Sequence, residues 1–155
     1  MADPVPVGKI PSGLFIITVA DGESKEGFLG SWVQQASFDP LMLSIAIEPE
    51  RPVLERIREV GCFCVNVVGH QNIGLLKPFW GGAKPGVNPL DALDTFTTPR
   101  GNTVLSDSMA AMECELRETI QAGDHVLVFG EVVETHLLKP EDKPMIHVRK
   151  TGASY

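Results

Sequence analysis

Six or seven short runs of β-forming residues follow one another along this chain with little that is helical between them. Residues 13–20 (GLFIITVA), 30–38 (GSWVQQASF), 41–47 (LMLSIAI), 62–68 (CFCVNVV), 112–120 (MECELRETI), 126–138 (VLVFGEVVETHLL) and 145–150 (MIHVRK) all have strand length. They are separated by turn signals: Asp21-Gly22, Asp39-Pro40, Gly123-Asp124 and the segment KPEDKP. Leu41–Ile47 is almost wholly apolar and predicts a strand buried on both faces, and Asn66 is the one polar side chain in CFCVNVV. In MECELRETI, Met112, Cys114 and Leu116 face one way while Glu113, Glu115 and Arg117 face the other. Gly130 marks a candidate bulge. One helical pattern is clear: Pro52 opens it, Val53, Leu54, Ile57 and Val60 line one face, and Gly61 ends it. A second short helix is expected in HQNIGLLKPFW, closed by Pro78. Strands in succession, without regular βαβ alternation, predict a mainly β fold and argue against a doubly wound sheet. The expected architecture is a six- to seven-stranded antiparallel barrel, closed or partly closed, capped by two short helices. Residues 1–12 read as an extended lead-in because of their prolines. Residues 81–100, rich in Gly, Pro, Asn and Asp, read as one long loop of the kind that serves binding or a partner subunit.

The 155 residues suffice for one domain with a real core, and a 43% hydrophobic share is that of a globular chain. Thirteen basic against 20 acidic residues leave a net charge of −7, which argues against nucleic acid or an anionic membrane as a general partner. No apolar run approaches the roughly 20 residues of a membrane helix. MADPVPVGK has no basic stretch followed by a hydrophobic one, so no signal peptide is expected. Three cysteines, Cys62, Cys64 and Cys114, make a poor disulfide scaffold, and a reducing cytoplasm is the expected compartment.

The chemistry that can be sought is narrow. There is no GxxxxGK[ST], no GxGxxG, no GxSxG and no HExxH, and no metal-ligand spacing. What stands out is GSWVQQASFDP. Ser31, Gln34, Gln35 and Ser37 place hydroxyls and amides where a core strand would carry Val or Ile, beside the large ring of Trp32. Two readings stay open: a wall that hydrogen-bonds a planar, polar-edged ligand, or an edge strand whose polar side chains face water. Arg51 stands just before the helix that Pro52 opens, where the helix dipole and a guanidinium together suit a phosphate; alternatively it faces solvent, paired with Glu50 or Glu55. Lys84, in the long loop, is a weaker cation of the same type. His125, in the Gly-Asp-His turn, points either into a barrel mouth or simply to solvent.

Taken in order, GLFIITV, GSWVQQASFDPLMLSIAI, GCFCVNVV, GDHVLVFGEV and HVRKTGASY resemble the flavin reductase-like FMN-binding split barrels. Within that family they are similar to the flavin reductase module at the C-terminal end of cyanobacterial flavodiiron proteins, which carries a similar SWxxQASFxP segment, GDH turn and HxRKxGxxY ending. The resemblance implies a Greek-key split barrel that pairs into a homodimer, with FMN or FAD as cofactor and NAD(P)H as hydride donor. The flavin-holding strand maps onto Leu29, Gly30, Ser31 and Trp32, and the turn after it onto Gln34, Gln35, Ala36 and Ser37. The phosphate segment maps onto Arg51, Pro52 and Val53; Val53 departs from the Ser or Thr of many relatives and shifts that role to backbone N–H groups and Arg51. His125 matches the histidine near the flavin ring, and Lys84 matches loosely. The implied activity is NAD(P)H:flavin oxidoreduction with onward delivery of electrons to an oxidase or oxygenase. The alternative is an FMN-binding electron carrier or docking module without nicotinamide turnover of its own. A third possibility on the same fold is a barrel for another planar ligand, a deazaflavin or a tetrapyrrole. Neither the HxExD segment nor the flavodoxin-like domain of flavodiiron proteins is present, so a chain starting at Met1 is expected to be a free-standing module.

Overall fold

A computed structural model describes residues 1–155. Nine strands form: β1 (Phe15–Ala20), β2 (Lys25–Gly30), β3 (Val33–Phe38), β4 (Leu41–Ile47), β5 (Cys62–Val67), β6 (Thr95–Thr97), β7 (Thr103–Leu105), β8 (Ala110–Ala122) and β9 (His125–Leu137), with one α-helix, α1 (Pro52–Val60). Seven of them make an antiparallel sheet in the order β2-β1-β5-β8-β9-β4-β3, and β6 pairs with β7 apart from it. The two edge strands of the large sheet, β2 and β3, are consecutive in the chain and joined only by Ser31 and Trp32. Three Cα–Cα steps reach about 11 Å at most. A seven-stranded sheet whose outer strands lie that close must curl into a barrel, yet β2 and β3 do not pair. The barrel is therefore closed everywhere but at one seam.

Alternation does the rest. Ile17, Val19, Leu43, Ile45, Ile47, Phe63, Val65, Cys114, Val126 and Val128 fill the interior, and α1 plugs it with Val53, Leu54 and Ile57. The helix ends where Gly61 adopts φ 76° and its N–H donates to the Ile57 carbonyl at 2.8 Å. Gly130 lies where an added Cβ would stand 2.8 Å from Cε1 of the buried Phe63 ring, so glycine here permits close packing. The bulge itself falls opposite, on β8 between Leu116 and Glu118. A second layer covers the outer face of β1: Ile16 packs with Val68, Leu75, Leu76, Leu90 and Leu105. These come from a kinked 3₁₀ segment (His70–Phe79), a 3₁₀ turn (Pro89–Ala92) and β7. Asn66 stitches that layer on. Its amide donates to the Ile16 carbonyl at 3.0 Å and accepts from Leu105 N–H at 2.9 Å, while Thr18 donates to the Thr103 carbonyl at 2.5 Å.

Five expectations change. The run 30–38 is not one strand: it takes in the last residue of β2, a corner at Ser31–Trp32 and then β3, because one edge strand of the sheet ends there and the other begins. Residues 81–100 are not one loop: Pro89–Ala92 and β6 organise their second half over β1 and β2. β4 is buried on one face only, since nothing covers Met42, Ser44 and Ala46 as the second layer covers β1. MIHVRK forms no strand: Met145 N–H donates to the Val68 carbonyl at 3.0 Å, His147 makes an isolated bridge with Ser12, and Arg149 N–H turns to the Gly8 carbonyl. The lead-in holds a 3₁₀ turn at Pro6–Lys9.

Glu113 is the buried polar group that β-alternation does not announce. It is 1% exposed on the outer face of β8 beneath the turn after β6. Its carboxylate accepts from Thr98 Oγ1 (2.8 Å), Asn102 Nδ2 (2.7 Å) and His136 Nε2 (2.8 Å). Burial pushes its pKa up, but the three donors together outweigh that and hold the carboxyl below its ordinary value of 4.5. A depressed carboxyl contributes stability that is whole above its unfolded pKa and is lost as pH falls through the folded one. Glu113→Ala is expected to cost about 3 kcal/mol at neutral pH, because the donors lose their buried partner. Glu113→Gln should unfold with a flatter acid limb than the parent below pH 4.5. Urea unfolding across that range checks both, and parallel acid limbs would count against the assignment.

Candidate functional site

The seam opens onto a cleft of about 560 Å³. One wall is β2 from Gly27 to Gly30, continued by Ser31 and Trp32. A second runs from the end of β4 (Ala46–Glu48) to Arg51 at the start of α1, and a third is the segment between Leu76 and Pro89. β2 pairs only with β1, so its other edge carries backbone groups that no strand satisfies. At its beginning Asn88 Nδ2 takes the Lys25 carbonyl at 2.9 Å; from Gly27 onward the strand borders the cleft. Gly27 also lets the cover approach, since a Cβ there would lie 2.9 Å from Leu90 Cδ2. Phe28, Leu29, Leu76, Phe79 and Trp80 make most of the surface apolar.

Polar groups converge from several directions. Ser31 sits at the corner, 8% exposed. Arg51 precedes the first turn of α1, where the helix dipole is positive, and its guanidinium stands 5.9 Å from the Phe28 ring centre. Its partner is Glu48, at 3.1 Å, rather than Glu50 or Glu55. Lys84 lines the opposite side on a loop whose Gly81, Gly82 and Gly86 all have positive φ.

Trp32 is held from three sides. The His125 ring lies 4.7 Å from it and the Tyr155 ring 5.1 Å, centre to centre, and the Arg149 guanidinium lies 4.9 Å over its face. A hydrogen-bonded chain backs this cluster: His125 Nδ1 to Asp124 Oδ1 at 2.7 Å, and His125 Nε2 to Tyr155 Oη at 2.8 Å. The His125 bond holds the Asp124 carboxyl below the ordinary range, so Asp124 accepts. In the neutral ring Nδ1 then carries the proton and Nε2 accepts from the tyrosine hydroxyl. The Tyr155 hydroxyl is pushed up, first by burial and then by the charge of Glu48, so it stays protonated as a donor.

Of the residues singled out by sequence, Leu29, Gly30, Ser31, Trp32, Arg51 and Lys84 meet in this cleft. His125 stands behind Trp32 and reaches the cleft through Tyr155. The structure does not bring Gln34, Gln35, Ala36 and Ser37 there. They lie beyond the corner on edge strand β3, where Gln34 and Gln35 border a separate depression with Pro11 and Ile146, and a register shift bulges the strand between Gln35 and Ser37. Val53 points its side chain into the barrel core, which leaves only its backbone near the site. Glu48, His147 and Tyr155 were missed. Tyr155 is the chain's only tyrosine and ends the HVRKTGASY segment, which was a usable signal; nothing local marks Glu48.

The sequence matches the flavin reductase like domain over residues 7–154. The chain belongs to that family. It is 34% identical over 151 residues to diflavin flavoprotein A 1 of Synechocystis sp., an alignment that takes in 96% of this chain and 26% of that protein. The chain thus spans about a quarter of the length of the curated relatives it matches. Among solved structures it is similar to the Streptomyces globisporus C-1027 NADH:FAD oxidoreductase SgcE6, with TM-score 0.84 and 21% identity over 96% of this chain and 87% of that one. It is also similar to flavin reductase PheA2, with TM-score 0.80 and 23% identity over 95% and 91% of the two chains. At those identities the likeness is one of fold.

Asn88 ties the third wall to β2, since its side chain also caps the turn after it by accepting from Leu90 N–H at 3.1 Å. Asn88→Ala is expected to lower stability by about 1 kcal/mol and to speed amide exchange at Leu90. Unchanged exchange there would show that the wall is held by Leu90 packing alone.

Proposed function

We propose that the cleft holds the isoalloxazine of a flavin, FMN or FAD, and that the chain is an NAD(P)H-dependent flavin oxidoreductase. The observation that carries this reading is that a free strand edge and a helix N-terminus guarded by Arg51 open into one apolar cleft. A fused, flat ring with one polar edge and a phosphate at the end of a flexible arm asks for that combination. The residues fit: the β2 edge and Ser31 offer donors and acceptors to the polar edge, Phe28 and Leu29 offer apolar surface, and Arg51 offers a cation at the far corner. A bound flavin supplies the hydride-accepting chemistry, which needs no acid–base pair from the protein.

The chain's own residues position and exclude. Asp124 fixes the His125 ring, His125 fixes Tyr155, and all three with Arg149 leave Trp32 one orientation at the seam. Rings already ordered in this way lose little entropy when a planar ligand arrives. Tyr155 shields the mouth from water and presents its hydroxyl beside the site. Support from relatives is of a general kind: the family match, and neighbours named as flavin reductases or as an NADH:FAD oxidoreductase. Delivery of electrons to an oxidase or oxygenase belongs to the same proposal. So does a homodimer, for which the exposed β3 edge and Phe38, 90% exposed, are uncovered surface.

Anaerobic addition of NADH or NADPH to the flavin-loaded protein is expected to bleach the flavin spectrum. Bleaching by dithionite alone would assign an electron carrier instead, and a protein that takes up neither FMN nor FAD would sink the reading. Trp32→Ala is expected to weaken flavin affinity about tenfold through lost aromatic contact, as read by fluorescence titration. Equal affinity in variant and parent would place the ring elsewhere.

A further inference from the structure

The residues that fit a flavin, Phe28, Leu29, Ser31 and Arg51, all stand on the first two walls of the cleft. The third wall carries chemistry of its own. Trp80 lines the cleft there, yet it is 53% exposed and pairs with no other aromatic ring. Further along the same loop Lys84 also borders the cleft. It is exposed and takes part in none of the chain's ion pairs. An added Cβ at Gly81, Gly82 or Gly86 would meet nothing within 4 Å, so the backbone around both side chains stands clear of the body. The loop is nevertheless anchored at its ends. Phe79 packs on the cover of β1, Trp80 N–H donates to the Lys77 carbonyl at 3.2 Å, and Asn88 holds the Lys25 carbonyl of β2. The indole is thus presented from a tethered backbone with no ring against it.

We propose that this loop takes the adenosine half of a reduced nicotinamide adenine dinucleotide, with the Trp80 indole stacking on the adenine and the Lys84 ammonium facing the diphosphate. This rests on the reading of the cleft as a flavin site served by a nicotinamide donor. Such a donor has two flat ends, nicotinamide and adenine, joined through two riboses and a diphosphate. The nicotinamide end has to lie against the flavin ring to give up its hydride, so the adenosine end must find its own surface further out. That surface calls for an aromatic face for the base and a cation for the phosphates. Elsewhere in the cleft those groups are engaged. Arg51 is bonded to Glu48 at 3.1 Å, Tyr155 is bonded to His125 at 2.8 Å, and Trp32 is held by two rings and the Arg149 guanidinium. Trp80 and Lys84 are the unengaged ring and cation, and one loop carries both.

The test is anaerobic reduction of the flavin-loaded whole chain, comparing the parent with Trp80→Ala, Trp80→Phe and Lys84→Gln. Two donors are used: NADH or NADPH, whichever reduces the parent faster, and reduced nicotinamide mononucleotide, which lacks adenosine. Trp80→Ala is expected to lower kcat/KM for the dinucleotide about tenfold through a higher KM, with kcat within about twofold of the parent and kcat/KM for the mononucleotide unchanged. Trp80→Phe keeps an aromatic face and should recover most of the loss. Lys84→Gln should weaken both donors alike, by about threefold, because a diphosphate and a terminal phosphate carry nearly the same total charge. Flavin affinity, titrated in each variant, should match the parent and reports that the cleft is intact. Equal losses for the two donors in Trp80→Ala, or an unchanged dinucleotide, would overturn the adenine role. Loss of flavin affinity in that variant would overturn it too, by putting the indole against the flavin itself, and donors unaffected by Lys84→Gln would remove the lysine. A parent whose bound flavin neither dinucleotide reduces removes the nicotinamide reading and this inference with it, an outcome distinct from the others because no rate is seen.

Discussion

The two-residue link between β2 and β3 is the constraint on which the rest depends. Ser31 and Trp32 must join the first and last strands of a seven-stranded sheet, so the sheet has to roll up. The two strands do not pair with each other across that link, so the rolled sheet keeps an open seam. From that one connection come the enclosed core, the free backbone edge of β2 and the cleft beside it. A longer link would relax the barrel; pairing across it would erase the cleft.

What keeps the cleft in shape is largely outside the barrel. β1 is hydrophobic on both faces, and its outer face is covered by short 3₁₀ segments and the β6–β7 hairpin. None of these short pieces is stable alone. They are fixed by buried side-chain bonds to the sheet: Asn66 to Leu105, Thr18 to Thr103, and Glu113 to Thr98 and Asn102. Buried polar groups that hydrogen-bond between the two layers specify one arrangement where apolar contact alone would allow several. The same cover continues into Pro89 and Lys84, which border the cleft, so the site depends on bonds well removed from it.

Strands β1, β3, β4, β5, β8 and β9 were readable because their alternation and turn residues are local properties. Helix α1 was readable to the residue, since Pro52 and Gly61 act on their own backbone. Other features were hidden for identifiable reasons. The corner at Ser31–Trp32 reads as continuous strand because β-forming residues lie on both sides of it. Glu113 follows the alternation of its strand and looks solvent-facing until the β6–β7 turn is seen to lie over it. Glu48 and Tyr155 lie 107 positions apart and meet only at the seam. The polar stretch GSWVQQASF, open to two readings as sequence, divides between them: Ser31 and Trp32 line the cleft, while Gln34, Gln35 and Ala36 lie exposed on an edge strand.

Most of the long strands, helix α1, the mainly β class and the family follow from the order of residues, because each rests on periodicity, on a backbone preference or on a chain of short motifs. The place of the cleft, the burial of Glu113, the triad behind Trp32 and the sign of the charge at Arg51 do not. Those were decided only when the sheet closed, because closure alone sets which distant side chains share one low-dielectric space, and burial and Coulomb effects depend on that distance.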